Sequence, residues 1–98
     1  MTTFVLVHGA WMGGWCYKRV ARLLRQAGHE VYTPTLTGLG ERAHLMSRAI
    51  DLNTHVQDIL GVIRCEELSD VVLCGHSYGG MVITGVAEQI AAKIRSLV

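Results

Sequence analysis

A serine lies at the centre of the sequence Gly75-His76-Ser77-Tyr78-Gly79. This G-x-S-x-G spacing is typical of a sharp strand-to-helix turn that projects the serine hydroxyl outward as a nucleophile. Glycines two residues to either side let the neighbouring backbone pass without a clashing Cβ, and the helix N-terminus favours developing negative charge. The motif predicts that Ser77 is a nucleophile. An ordinary strand-to-helix turn, or a cradle for phosphate, is the alternative interpretation.

A second motif, His8-Gly9-Ala10, follows the first apolar run of the chain. In an active site built on a G-x-S-x-G turn, one oxyanion donor is the N–H of the residue after the serine, and the other comes from a loop after an earlier strand. We expect these donors to be the backbone N–H groups of Tyr78 and Ala10. Each such donor lowers a barrier by about 3 kcal/mol.

The residues around both motifs alternate between strand and helix patterns. Short apolar runs predict strands at residues 4–7, 29–33, 70–74 and 94–98. Helical spacing predicts three helices: one with Cys16, Val20, Leu23, Leu24 and Ala27 on its apolar face, one with Val56, Ile59, Leu60 and Ile63, and one over about residues 78–92. We expect Gly28 to end the first helix and Asn53 or Thr54 to cap the second.

This order predicts an α/β fold, with a mostly parallel sheet of about four strands and helices on both faces. Residues 34–53 show no persistent period, and a connection of that length is more often functional than idle.

Composition excludes several classes of protein. Half of the 98 residues are hydrophobic, and nine Lys and Arg residues against eight Asp and Glu leave a net charge of +1. A disordered chain is less hydrophobic and more charged, and a nucleic-acid or membrane partner would need a basic surface. We expect a single soluble domain over residues 1–98 with neither partner. Its first residues lack the features of an export signal, which favours a cytoplasmic location.

The cysteines Cys16, Cys65 and Cys74 are odd in number and lack C-x-x-C spacing, so they fit neither a disulfide framework nor a zinc site. We interpret Cys16 and Cys74 as small buried hydrophobic residues. No P-loop lysine or G-x-G-x-x-G motif indicates a nucleotide. We therefore expect no metal and no cofactor.

The motif combination resembles the α/β-hydrolase superfamily: residues 4–10, Gly13-Gly14-Trp15, Ala27-Gly28-His29 and residues 75–80. Within it, the chain is similar to the plant methylesterase and hydroxynitrile lyase family and to bacterial esterases. The resemblance implies that Ser77 is the nucleophile, with Ala10 and Tyr78 as oxyanion donors. It places Trp11 and the loop 37–46 in the pocket wall, and the first strand between the second and third.

A serine nucleophile also needs a histidine base and an acid that orients it. The five histidines, at positions 8, 29, 44, 55 and 76, all precede Ser77, and Glu88 is the only acid after it. We expect His8 to make structural hydrogen bonds and His55 to occupy an ordinary helix-start position, which leaves His44 as the one histidine free to approach the pocket. The resemblance instead implies that the chain is the N-terminal segment of a longer core. The acid and histidine would lie beyond Val98, and that segment or another chain would complete the sheet.

We expect the function to be hydrolysis of a small apolar or aromatic carboxylic ester through an acyl-enzyme. Trp11, Leu36, Leu39 and Met46 are expected near the pocket mouth, and Trp15 in the core. One alternative is a hydroxynitrile-type carbon–carbon lyase, although such lyases tend to have threonine where this chain has Gly9. Another alternative is a catalytically silent ligand-binding module.

Overall fold

The computed structural model describes the whole chain, residues 1–98, as strands alternating with helices. The elements are β1 (Thr3–Val7), α1 (Lys18–Gln26), β2 (Glu30–Tyr32), α2 (Leu52–Cys65), β3 (Val71–Gly75), α3 (Tyr78–Ile90) and β4 (Ile94–Leu97). Short 3-10 turns occur at Gly14–Tyr17, Gly40–Leu45 and Ala91–Lys93. All predicted strands and helices are present, with ends displaced by a few residues.

The four strands form one parallel sheet in the order β2-β1-β3-β4. Leu6 of β1 pairs with Cys74 of β3, so the two central strands end together, just before the two motifs. The predicted parallel sheet is confirmed, as is the predicted place of the first strand between the second and third. The carboxyl ends of β1 and β3 are neighbours, which is where open α/β sheets bind ligands.

Helices pack on both faces of the sheet because successive side chains of a buried strand point to opposite sides. Val5 and Val7 join a cluster of 13 buried residues formed with α2 and α3. Leu6 joins Ala21 and Val31 in a smaller cluster against α1. Tyr78, the first residue of α3, packs against the larger cluster, so the motif turn lies beside the main core.

The apolar face of α1 differs from the prediction. Ala21 is buried, whereas Val20 and Leu23 are exposed, with 66% of Leu23 accessible. The helix touches the sheet along Tyr17, Ala21 and Leu24, which are spaced four and three residues apart and form one narrow stripe. A helix that packs on a single strand pair buries one stripe, so the neighbouring apolar residues stay in solvent.

Two helix ends show how the sequence sets the boundaries. Gly28 has φ +92°, as predicted for the end of α1, and the N–H groups of Gly28 and His29 cap the last carbonyls of that helix. The predicted cap of α2 is wrong: Asp51, not Asn53 or Thr54, is the N-cap, and its side chain accepts a 3.0 Å bond from the Thr54 N–H. The negative charge of the carboxylate is stabilised near the positive N-terminal end of the helix, which favours aspartate as the cap.

All three cysteines are free. The prediction that Cys16 and Cys74 are buried is wrong in degree, because both are half-buried beside α1.

No helix combines the length and apolar character that crossing a bilayer requires.

Candidate active site

Ser77 occupies a strained turn between β3 and α3. Its φ of +56° and ψ of −118° lie outside the regions that residues with a Cβ normally adopt. Such a backbone conformation costs about 1–3 kcal/mol and persists only where the contacts of the surrounding residues hold it in place. Hydrogen bonds of 2.9 Å from the Gly79 N–H to the His76 carbonyl and from the Gly80 N–H to the Ser77 carbonyl close the turn. The serine residue is exposed, and its side chain caps no helix N–H.

The glycines of the motif permit a close approach to the end of β1. A Cβ at Gly75 would lie 2.5 Å from the Gly79 carbonyl oxygen, and a Cβ at Gly79 would lie 2.8 Å from the His8 carbonyl oxygen. A Cβ at Gly9 would lie 3.3 Å from the Cβ of Ser77. Glycine at position 75 therefore lets β3 and α3 meet in a tight turn, and glycines at positions 9 and 79 let the loop after β1 lie against the serine.

The N–H groups of Ala10 and Tyr78 are available at this junction. The turn after β1 uses the Met12 N–H, which donates to the Gly9 carbonyl at 3.3 Å, and leaves that of Ala10 unused. The N–H of Tyr78 is in the first turn of α3, where helical N–H groups have no intrahelical acceptor. Two N–H groups are therefore unused near the strained serine: that of Tyr78, the next residue, and that of Ala10, whose neighbour Gly9 lies against Ser77.

A buried histidine, His55, links α2 to the residue after the serine. Its Nδ1 lies 2.6 Å from the Tyr78 hydroxyl, and its Nε2 lies 2.9 Å from the Thr37 carbonyl oxygen. Thr37 is also held by Asp58, whose two carboxylate oxygens accept bonds of 2.7 Å from its N–H and its hydroxyl. Burial raises the pKa of Tyr78, and the charge of Asp51 adds to this, so the phenol stays protonated near neutral pH.

Sequence reasoning missed this network. His55 was expected in an ordinary position, but it is 5% exposed and bonded at both ring nitrogens. The signal was present: His55 precedes Ile59 by four residues, and Ile59 precedes Ile63 by four, so the helical period places all three on the buried face.

His8 makes the structural hydrogen bonds expected of it. Its Nε2 accepts a 3.0 Å bond from the Leu36 N–H, so its proton is on Nδ1, which lies 2.8 Å from the Gly9 carbonyl oxygen. The expectation that Leu36 lies at a pocket mouth is wrong, since its side chain is 0% exposed in the core. The bond to His8 holds the Leu36 backbone, and its side chain packs in the larger core cluster.

Three of the predicted pocket residues, Trp11, Leu39 and Met46, line one groove of about 440 Å³. Trp11 is 90% exposed and has φ +68°, an unusual conformation for a bulky side chain. Trp15 lines the same groove and is 52% exposed, so the prediction that it lies in the core is wrong. A Cβ at Gly13 would lie 2.8 Å from Trp15 Cδ1, and the tight loop turns the indole outward.

Ser77 lines a different groove, of about 540 Å³, along the exposed side of α3. Leu52, Met81 and Thr84 are among its other lining residues. The groove lined by Trp11 and Trp15, here called the aromatic groove, and the groove lined by Ser77, the serine groove, share no lining residue and are separate openings.

No histidine of the chain hydrogen-bonds to the Ser77 hydroxyl. His29 accepts from the Thr2 N–H at 3.1 Å. His44, expected to be free to approach the pocket, is exposed in the 3-10 turn and lines neither groove. Glu88 lines the serine groove about three helical turns along α3 from Ser77. The structure thus brings the loop after β1 against Ser77, with no histidine bonded to the serine.

Comparisons with known proteins identify relatives over the whole chain. The profile of the alpha/beta hydrolase family matches residues 4–98. A carbendazim hydrolyzing esterase from Nocardioides sp. (strain SG-4G) is 66% identical over 98 residues, which are 100% of this chain and 40% of the relative. Methyl jasmonate esterase 1 of Vitis vinifera is 30% identical over 92 residues, which are 93% of this chain and 35% of the relative.

Among solved structures, an extracellular alpha/beta-hydrolase from a Paenibacillus species superposes with a TM-score of 0.90 at 33% identity. The match covers 99% of this chain and 39% of that one. These findings confirm the resemblance to the esterases of this superfamily. The chain spans about 40% or less of these relatives, and the cytoplasmic location stays a prediction.

Proposed function

Because the chain belongs to the alpha/beta hydrolase family, we propose that it supplies the nucleophilic serine and the oxyanion donors of a carboxylic-ester hydrolase. The observation on which this rests is the backbone of Ser77, held at φ +56° in an exposed turn against the end of β1. A fold maintains such strain only where the surroundings over-determine it, which is common at active sites. The esterase relatives support the same reaction class.

The proposed reaction proceeds through an acyl-enzyme. The Ser77 hydroxyl oxygen bonds to the ester carbonyl carbon while its proton passes to a histidine base. The N–H groups of Ala10 and Tyr78 hold the resulting oxyanion, the C–O bond to the alcohol breaks, and the histidine returns the proton to the leaving alcohol. Water then attacks the acyl group by the same route and restores the serine.

We propose that the base and its acid lie outside these 98 residues, which form the N-terminal segment of the catalytic core. Each histidine that the fold buries is already bonded: His8 to Leu36 and Gly9, and His55 to Thr37 and Tyr78. The outer edge of β4 is unpaired, so a further segment or another chain can extend the sheet there. The complete enzyme is this chain together with the segment that supplies the base.

The proposed substrate is a small ester with an apolar or aromatic group. Trp11, Trp15, Leu39 and Met46 give the aromatic groove two indoles and two flexible apolar side chains. Such a lining favours flat apolar groups over charged ones. Carbendazim and methyl jasmonate, from the names of two relatives, are the specific compounds to test after simple esters.

The experiment is steady-state hydrolysis of p-nitrophenyl acetate by the complete enzyme and by Ser77→Ala. We expect the variant to lose at least about 1,000-fold in kcat/KM, since single triad removals cost that much or more. Ser47→Ala removes an exposed loop serine and is the matched control, with unchanged kinetics. Full activity in Ser77→Ala would exclude this serine as the nucleophile.

The two alternatives have their own readouts in the same assay series. Cleavage of mandelonitrile without ester turnover would indicate a carbon–carbon lyase. Binding of aromatic esters without turnover of either substrate would indicate a silent ligand-binding module.

A further inference from the structure

We propose that His55 is a positioning residue that fixes the Tyr78 N–H in place as an oxyanion donor and ties it to the wall of the aromatic groove. The inference rests on the proposed function, because it assigns a task to a residue that touches neither substrate nor serine. It follows from three hydrogen bonds that join α2, the loop after β2 and the turn at Ser77.

The direction of each bond follows from counting protons. The Thr37 carbonyl oxygen accepts only, so His55 Nε2, 2.9 Å away, must donate to it and therefore holds the proton of the neutral ring. Nδ1 is then an acceptor, and the Tyr78 hydroxyl, 2.6 Å away, donates to it. Both ring nitrogens are thus hydrogen-bonded, as a side chain that is only 5% exposed requires.

Thr37, at one end of this series of hydrogen bonds, is held rigidly. Asp58 is three residues after His55 on α2, and its carboxylate holds both the N–H and the hydroxyl of Thr37 at 2.7 Å. The preceding residue, Leu36, donates its N–H to buried His8. The Thr37 carbonyl is therefore a fixed anchor, and through His55 it holds the Tyr78 ring edge-on at a centroid distance of 5.5 Å.

At the other end of the series, His55 restrains Tyr78, whose N–H is the proposed oxyanion donor. Tyr78 is the first residue of α3 and follows a residue in a strained conformation, so few intrahelical bonds restrain its own N–H. Holding the phenol 2.6 Å from a buried ring limits rotation of residue 78 about its backbone. A donor must stay within a few tenths of an ångström of its position to stabilise an oxyanion fully.

The same bonds connect the donor to the groove. Thr37 immediately precedes Gly38 and Leu39, which line the groove with Trp11 and Met46. Displacement of this wall by a badly fitting substrate would be transmitted through His55 to Tyr78. The predicted effect of losing His55 is thus on kcat and on discrimination between acyl groups, beyond any effect on stability.

The test uses Tyr78→Phe, His55→Leu and His55→Gln in the complete enzyme. Loss of an oxyanion donor costs about 100- to 1,000-fold in kcat, so a donor that is present but loose should cost about tenfold, with little change in KM. Tyr78→Phe and His55→Leu should each show this loss, and the double variant should be no slower than the slower single one. His55→Gln can donate to Thr37 and accept from Tyr78, and should restore kcat to within about threefold of the parent.

Tyr32→Phe is the control, since it deletes a tyrosine hydroxyl that donates to Glu30 on the edge strand β2. It should leave kcat unchanged. Equal kcat for parent and Tyr78→Phe would overturn the proposal, even if His55→Leu fails to fold. The proposed function is tested separately by Ser77→Ala. If the parent hydrolyses esters and Ser77→Ala does not, equal kcat for the parent and Tyr78→Phe rejects only the positioning role.

Discussion

The α-carbon of Gly79 faces the carbonyl oxygen of Val7 so closely that a Cβ at Gly79 would overlap it. This contact presses the start of α3 onto the end of β1 and so holds the Ser77 turn. Gly80, the next residue, has nothing within 4 Å of the position of its Cβ. Two adjacent glycines of one helix therefore have opposite tolerance for a methyl group.

Gly79→Ala should lower the free energy of unfolding by about 1–3 kcal/mol, because the added methyl forces α3 away from β1. Gly80→Ala should raise it by about 0.5–1 kcal/mol, because alanine is the better helix former. Urea unfolding of both variants measures the difference. Equal stabilities would show that the close approach of Gly79 is not needed by the fold.

Replacing Trp11 should weaken binding of aromatic esters. Trp11→Ala removes most of one wall of the groove and should raise KM for a phenyl ester by about tenfold, with a small effect on acetate esters. Leu23→Ala, which shortens an exposed apolar residue on α1, is the control and should leave KM unchanged. Equal KM values for Trp11→Ala and the parent would place aromatic recognition elsewhere.

Replacing Leu36 should affect the stability of the fold and not the binding of substrate. Its side chain is fully buried, so Leu36→Ala should cost about 2–5 kcal/mol of stability while KM at low temperature stays unchanged. Thermal unfolding and steady-state kinetics on one preparation measure both quantities. A raised KM with parental stability would return Leu36 to the pocket mouth.

The cap of α2 should make stability depend on pH. The Thr54 N–H bonded to Asp51 holds the pKa of that carboxyl below its ordinary value. Since the folded-state pKa is the lower one, the stabilisation is present above the ordinary aspartate pKa of about 3.9 and is lost as pH falls through the folded value. Asp51→Ala should therefore lower Tm at neutral pH, and the difference from the parent should shrink as pH falls below about 4. A Tm difference that is constant from pH 7 to pH 3 would contradict this.

The strands, the turn at Ser77 and the glycine cap of α1 could be predicted from the residues themselves, because each depends on local chemistry. The order of the strands in the sheet was predicted only from the family resemblance. A continuous apolar run forms a buried strand, and glycine alone tolerates φ +92° at Gly28 without cost. These signals need only a few consecutive residues.

The positions that sequence reasoning misplaced depend on long-range contacts. Val20 and Leu23 are exposed because α1 contacts the sheet along another stripe of residues. Leu36 is buried where its N–H is bound by His8, 28 residues earlier in the chain. His55 was missed because its partners, Thr37 and Tyr78, lie 18 and 23 residues away along the chain. Helical spacing shows that His55 is buried, and only the fold shows what it holds.

Trapping the acyl group on one residue tests the central claim most directly. The complete enzyme is mixed with p-nitrophenyl acetate, quenched in acid before the steady state, digested and mapped by mass spectrometry. We predict one added acetyl group on the peptide that contains Ser77, and none in Ser77→Ala. An acetyl group on another residue, or ester turnover with no covalent adduct, would contradict nucleophilic catalysis by this serine.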